Sequence, residues 1–325
     1  MRTTRVIACL WAAAAVIGGS AHAQTGAAFP AKPIRLILPY PPGGGSDTIV
    51  RPLAQRLGEH LKQQVIIDNR GGAGGNIGME LAAKAPPDGH TIVFALTAQL
   101  AVNPALYRKL PYDPLRDYEP ITLLASGPYI LLVHPSLPVK SVKDLIALAR
   151  ARPGQLTYAS SGSGSGGHLA NELLNSTAKI RMLHIPYKGG GPALTAVIAG
   201  EAQVIFSPYA TAKPQMESGR LRPLGVSTAR RLTGVDLPTI AEAALPGYDA
   251  GVWYAFLAPA GTPREIVMKL NGEILRAASQ PEMKSVLAKS ALELIGSTPE
   301  ELGRFMKSEL AKWAKVVKEA NVHVD

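Results

Sequence analysis

The feature that most restricts the fold is a recurring order of apolar run, glycine-rich loop and helical stretch. The run IRLILP (Ile34–Pro39) leads into PPGGGSD, after which Ile49, Val50, Leu53, Leu57 and Leu61 recur at helical spacing. VIIDN (Val65–Asn69) leads into RGGAGGN and a helix predicted from about Ile77 to Lys84. A turn at Pro86–Gly89 then precedes TIVFAL (Thr91–Leu96). Short, wholly apolar runs of this kind are strands covered on both faces, and their alternation with helices dictates an α/β domain with a parallel sheet. Pro52 falls near the end of the first turn if Asp47 or Thr48 caps the first helix, which predicts an irregular or 3₁₀ start there.

The order then repeats. ITLLASGPYILLVHP (Ile121–Pro135) is long for one strand and is broken at Gly127–Pro128, so it reads as a crossover into a second domain. A helix from about Val142 to Arg150 follows, then LTYAS, the loop SGSGSGG and the helical HLANELLN. RMLHIPY, KGGGP, the helical ALTAVIAG and the strands AQVIFS and LRPLGVS complete this half. GVWYAFLAP (Gly251–Pro259) reads as the return crossover. The last helix, about Pro299 to Ala320, carries Leu302, Phe305, Leu310, Trp313 and Val317 on one face, with Lys312 on its exposed part. Two domains are expected, residues 24–125 plus 251–325 and residues 126–250, because the length exceeds what one core usually supports.

The first residues read as a leader. Arg2 and Arg5 precede an apolar run over Val6–Gly19, and Ala21 and Ala23 supply the small residues of a cleavage site after Ala23. Cys9, in VIAC, has the look of an acylation signal, but most of the apolar run lies after it. Cleavage after Ala23 removes this single cysteine, so the exported chain has no disulfide or thiolate chemistry. The formal charge of +10 raises nucleic acid as a partner, yet basic residues cluster only in pairs such as Arg230–Arg231 and aromatics are 6%. A solvated basic surface with a mild attraction for anions is the expectation.

The glycine loops lack the companions that chemistry requires. GSGSGG (Gly162–Gly167) fits G-x-G-x-x-G, but the next strand ends in Tyr187–Lys188 where dinucleotide binding needs an acid. Neither GGGSD nor GGAGGN continues into the G-K-[ST] of a P-loop. There is no nucleophile elbow, no H-E-x-x-H and no cysteine pair, so no catalytic residue, cofactor or metal site is expected. His168, at the head of a helix, reads as ordering its own loop or lining a pocket. His184 reads as a satisfied core histidine. What remains is a set of loops at strand carboxyl ends whose backbone N–H groups and helix N-termini surround a small anion, bound and not transformed.

Seven segments then stand out together: PYPPGGGSD, DNRGGAGGNIG, APPDGHTI, LPYDPLRDYEPITLLAS, SSGSGSGGHLANEL, IPYKGGGPAL and APAGTP. In this order, across nearly the whole chain after Ala23, they resemble the Bug family, the extracytoplasmic solute-binding proteins of tripartite tricarboxylate transporters. The resemblance implies a type II periplasmic binding protein fold, with two α/β domains joined by two crossover strands and a ligand cleft between them. It implies a monomer in the periplasm that captures a small carboxylate and delivers it to membrane permease subunits. A sensor kinase ectodomain is the alternative partner and an exported hydrolase the remaining alternative. Carried over from the family's motifs, the ligand-binding positions are Tyr40, Gly43, Gly44, Gly45, Ser46 and Asp47, with Thr97, Ala98 and Gln99. From the second domain they are Ser161, Gly162, Ser165, Gly166 and His168, then Lys188, Gly189 and Gly190, with Ser207 and Tyr209 near the pocket. The family often has Asp where Gln203 and Ser207 stand, which favours a ligand without an amine.

Overall fold

The computed structural model describes residues 29–42, 45–231 and 235–320. The expected leader with Cys9, and the expected ligand positions Gly43 and Gly44, lie outside the described residues. In chain order the first half runs β1 (Ile34–Leu38), α1 (Gly45–Leu61), β2 (Val65–Asn69), α2 (Asn76–Ala83), β3 (Thr91–Leu96), α3 (Asn103–Leu106) and β4 (Tyr118–Gly127). A π-turned segment, Ala98–Val102, joins β3 to α3. The middle runs β5 (Tyr129–Val133), α4 (Val142–Ala151), β6 (Thr157–Ser160), α5 (Gly166–Ala178), β7 (Leu183–Pro186) and α6 (Gly190–Ile198). It continues with β8 (Val204–Pro208), α7 (Tyr209–Glu217), β9 (Arg222–Val226) and α8 (Ile240–Ala243). The chain returns through β10 (Val252–Pro259), α9 (Arg264–Ala278), α10 (Pro281–Lys289), β11 (Glu293–Leu294) and α11 (Pro299–Ala320).

These strands form two separate sheets. One has the order β11-β4-β10-β3-β1-β2 and the other β7-β6-β8-β5-β9. In the first, β1 pairs in parallel with β2 and β3, while β10 runs antiparallel between β3 and β4. In the second, β6 pairs in parallel with β7 and β8, and β5 runs antiparallel to β8 and β9. The long apolar run at Ile121–Pro135 is therefore two strands in two sheets, divided at Gly127–Pro128. The link back is β10, whose Val252 sits opposite Gly127. A Cβ on Gly251 would lie 3.1 Å from the Gly127 carbonyl oxygen, so the two links touch where they leave the first sheet.

Three sequence expectations are corrected. α1 runs unbroken from Gly45, so Pro52 sits well inside the helix and not near its first turn. α7 was not expected between AQVIFS and LRPLGVS, because Tyr209–Glu217 buries only Ala212 and contains Pro214, leaving no amphipathic stripe. Lys312 is not on an exposed face. Its ammonium is paired with the buried Glu309 and lies 3.4 Å from the Asp249 carbonyl oxygen. α11 packs on β4 and α3 of the first unit and on α5 of the second. Its buried stripe is Leu302, Met306, Trp313, Val316 and Val317, each worth about 1.5–3 kcal/mol of burial.

Candidate ligand-binding cleft

The first wall is built by loops that hold one another. Past the end of β1, Tyr40 donates its hydroxyl to Gln99 Oε1 at 2.7 Å, and burial raises its pKa. The same oxygen accepts the Leu96 N–H at 3.2 Å, while Gln99 Nε2 donates to the Gly74 carbonyl at 2.6 Å. Asn103 Nδ2 donates to Asn76 Oδ1 at 2.6 Å, and the Tyr112 hydroxyl donates to the Gln99 carbonyl at 2.8 Å. The loops after β1, β2 and β3 thus share a network in which buried polar groups find partners. Thr97 Oγ1 accepts the Trp253 N–H at 2.9 Å, which ties the same wall to β10.

The second wall is the loop between β6 and α5. Ser165 caps α5, its hydroxyl oxygen accepting the His168 N–H at 3.4 Å. His168 Nδ1 accepts the Gly164 N–H at 3.0 Å, so this histidine holds the loop from behind. Its ring stacks 4.0 Å from that of His184, whose Nε2 lies 2.6 Å from Ser160 Oγ. Two loop positions admit no side chain. Gly164 has φ +77°, and a Cβ there would lie 2.2 Å from Leu106 Cδ2 of the opposite wall. A Cβ on Gly166 would fall 2.0 Å from the Tyr129 hydroxyl oxygen.

Between the walls is a cavity of about 410 Å³, within the usual range for small-ligand sites. Tyr129, Gly251, Val252 and Trp313 close it on the side of the two links. Among the described residues lining it there is no Asp, Glu, Lys, Arg or His. The described lining residues offer hydroxyls and backbone N–H groups. Ser160 and His184 have the separation of a nucleophile and its base, but Ser160 is 1% exposed and does not line the cavity. Among the described residues, no three His, Cys, Asp or Glu side chains are grouped to hold a metal ion.

Residues 49–322 match the model of the tripartite tricarboxylate transporter family receptor, TctC. The chain belongs to this receptor family. The protein of the tcbD–tcbE intergenic region of Pseudomonas sp. strain P51 is 38% identical, over 96% of this chain and 94% of its own. Protein BugT of Bordetella pertussis is 36% identical over 98% of both chains. The structure of R. palustris Rpa4515 with adipate superposes with a TM-score of 0.80 at 38% identity, covering 91% of this chain and 99% of that one. MatC from Rhodopseudomonas palustris with bound malate gives 0.77 at 31% identity, covering 89% and 100%.

Of the positions expected to bind ligand, this TctC-family receptor brings Tyr40, Thr97, Ala98, Gln99, Ser161, Ser165 and Gly166 to the cavity. Gly45, Ser46 and Asp47 form the start of α1, where Asp47 pairs with Arg51 at 3.1 Å and accepts from Asn69 Nδ2 at 3.4 Å. Gly162 and His168 stand behind the second wall. Lys188, Gly189 and Gly190 lead into α6, and Ser207, bonded to Thr211 at 2.8 Å, leads into α7 with Tyr209. Gln203 accepts from the Thr157 N–H at 2.7 Å on the edge of β6, away from the cavity. Sequence reasoning passed over Gly74 and Gly75, although DNRGGAGGNIG contains them, and Tyr107, Tyr129 and Trp313, which carry no local signal.

The histidine pair makes the receptor's second wall sensitive to acid. Burial pushes His168 down from 6.5 to about 3 and His184 to about 4. Between those values and 6.5 the unfolded chain binds more protons than the folded one, so stability falls as pH drops through that window. For His168, lowering the pH from 6.5 to about 5 is expected to remove about 2 kcal/mol. Melting temperature measured against pH should fall less steeply over that range in His168→Gln than in the native protein. Parallel curves would show that His168 does not carry the effect.

Proposed function

We propose that this chain is the extracytoplasmic receptor of a tripartite transport system, which captures a small organic carboxylate in the cleft and delivers it to membrane permease subunits. The observation that carries the reading is a cavity walled by glycine- and serine-rich loops, with no charged side chain among its described lining residues. An anion in such a site is held by N–H groups at helix starts and by hydroxyls. Relatives solved with adipate and with malate support a carboxylate as the ligand. The relative described as the periplasmic binding protein BugD, 28% identical, supports an exported, periplasmic setting. Binding without chemistry is favoured because the close serine–histidine pairs among the described residues, Ser160–His184 and Ser136–His134, both lie outside the cavity. The paired sheets and their two links support a monomer that closes on its ligand as two rigid bodies.

A panel of small carboxylates tested by thermal shift checks this. A ligand at about 100 times its Kd stabilises by about 2.7 kcal/mol, so the melting temperature of a chain this long should rise by about 4 °C. A shift with nucleotides and with no carboxylate would overturn the reading.

A further inference from the structure

The cavity is unequal in its chemistry, and the inequality bears on the body of the ligand. Most polar side chains of the first wall are committed to the wall itself. Gln99 uses both ends of its amide, Asn103 donates to Asn76 and Gly74, and Tyr40 donates to Gln99. Of the hydroxyls lining the cavity, those of Ser161, Ser163, Tyr107 and Tyr129 make no hydrogen bond among the described residues. Gly166 adds a helix-start N–H beside Ser161 and Ser163.

One side of the remaining lining is hydrocarbon. Val102, Leu106, Leu169 and Trp313 belong to one continuous apolar cluster and line the cavity together. The Trp313 indole N–H donates to Glu309 Oε2 at 3.0 Å, so its one polar atom is already partnered. A hydroxyl or an additional carboxylate laid against this floor loses water and gains no partner, and an unpaired buried charge is far costlier than an unpaired hydroxyl.

Resting on the carboxylate reading above, we infer that the cleft selects a carboxylate with an unsubstituted aliphatic or aromatic body and rejects hydroxylated acids and tricarboxylates. The free donors at Ser161, Ser163 and Gly166 take one terminal carboxylate, and the Tyr107 and Tyr129 hydroxyls take the other where the acid has two. The Val102–Leu106–Leu169–Trp313 floor takes the hydrocarbon.

Calorimetry on the native protein tests this with a matched pair. Adipate and galactarate have the same charge and the same six-carbon chain, and differ by the four hydroxyls of galactarate. Citrate and benzoate complete the set. Adipate is expected to bind about 100-fold more tightly than galactarate, the discrimination an apolar pocket achieves against polar substitution. Citrate should bind no better than galactarate. Val102→Thr, which places a hydroxyl in the floor at almost constant shape, should narrow the adipate–galactarate ratio several-fold. Galactarate or citrate binding as tightly as adipate would overturn the inference while leaving the carboxylate reading intact. An unchanged ratio in Val102→Thr, with its melting temperature preserved, would overturn the assignment of the floor. Failure of all four acids to bind, with another carboxylate of the thermal-shift panel binding, would overturn the inference alone, and failure of the whole panel would overturn both readings.

Discussion

Gly166→Val should abolish ligand binding, with an affinity loss of about 100-fold or more, while the free protein keeps its fold. A Cβ at this position would stand 2.0 Å from the Tyr129 hydroxyl oxygen, 2.6 Å from its Cζ and 3.1 Å from its Cε2. The hydroxyl oxygen and two ring carbons of one tyrosine cannot be cleared by turning a terminal bond. Tyr129 starts β5, its N–H donating to Ser227 Oγ at 2.8 Å, so the backbone beneath the ring is held. Because Tyr129 borders the cavity, a displaced ring takes the space of the ligand, and an outward shift of the loop carries away the donors at Ser161 and Ser163. The fold survives because Gly166 is the first residue of α5 and the helix core is formed by Leu169, Ala170 and Leu174. Gly272→Ala is the matched control. Nothing lies within 4 Å of a Cβ there, so binding is unchanged and α9 gains about 0.5–1 kcal/mol. Calorimetry and melting curves on both variants decide it, and normal binding by Gly166→Val would remove the second wall from the site.

Glu309→Ala should be the most destabilising single change at the junction of the two units, at about 3–5 kcal/mol. Glu309 is 7% exposed and its Oε2 accepts the indole N–H of Trp253 at 2.9 Å and that of Trp313 at 3.0 Å. Its other oxygen pairs with the Lys312 ammonium. One carboxylate thereby joins β10, the cavity floor and the segment before Gly251. Truncation leaves two buried indole donors without a partner, each costing about 1–3 kcal/mol, and an ammonium without its counter-charge. Glu309→Gln retains an acceptor for the tryptophans and should lose less than half as much. Lys312→Ala should be destabilising as well, since it removes the partner of a buried carboxylate. Denaturant melts of the three variants give the order directly. Equal stability of Glu309→Ala and the native protein would show that the indoles find other partners.

Much of the architecture was legible in the chain because its signals are local. VIIDN and TIVFAL are strands at the very residues where the apolar runs begin and end, since a glycine-rich loop follows the first and a proline- and glycine-containing turn precedes the second. The stripe of α11 was legible in part: Leu302, Trp313 and Val317 are buried as read, while Met306 and Val316 are buried in place of the partly exposed Phe305 and Leu310. The crossovers could be read because Gly127–Pro128 interrupts a run too long for one strand. α7 escaped because a helix that buries one alanine leaves no periodic trace.

The site was only half legible, and the reason is topology. Ser161–Gly166 and Lys188–Gly190 are the same kind of loop, a glycine-rich turn from a strand into a helix. Sheet order separates them: β6 lies inside the second sheet, while β7 is its edge strand, so only the loop after β6 borders the cavity. Tyr129 and Trp313 reach the same cavity from a strand start and a C-terminal helix, 184 positions apart in sequence, and no motif joins them. Lys312 reads as a surface charge in the helical repeat, and becomes a half-buried partner of Glu309 because α11 is laid across the junction. The chain alone determined which segments become strands, turns and helices, since turn chemistry and apolar period act between near neighbours. Which of those segments face one another, and hence which groups meet the ligand, was decided by tertiary packing, since sheet order and the seating of α11 depend on contacts between residues far apart in the chain.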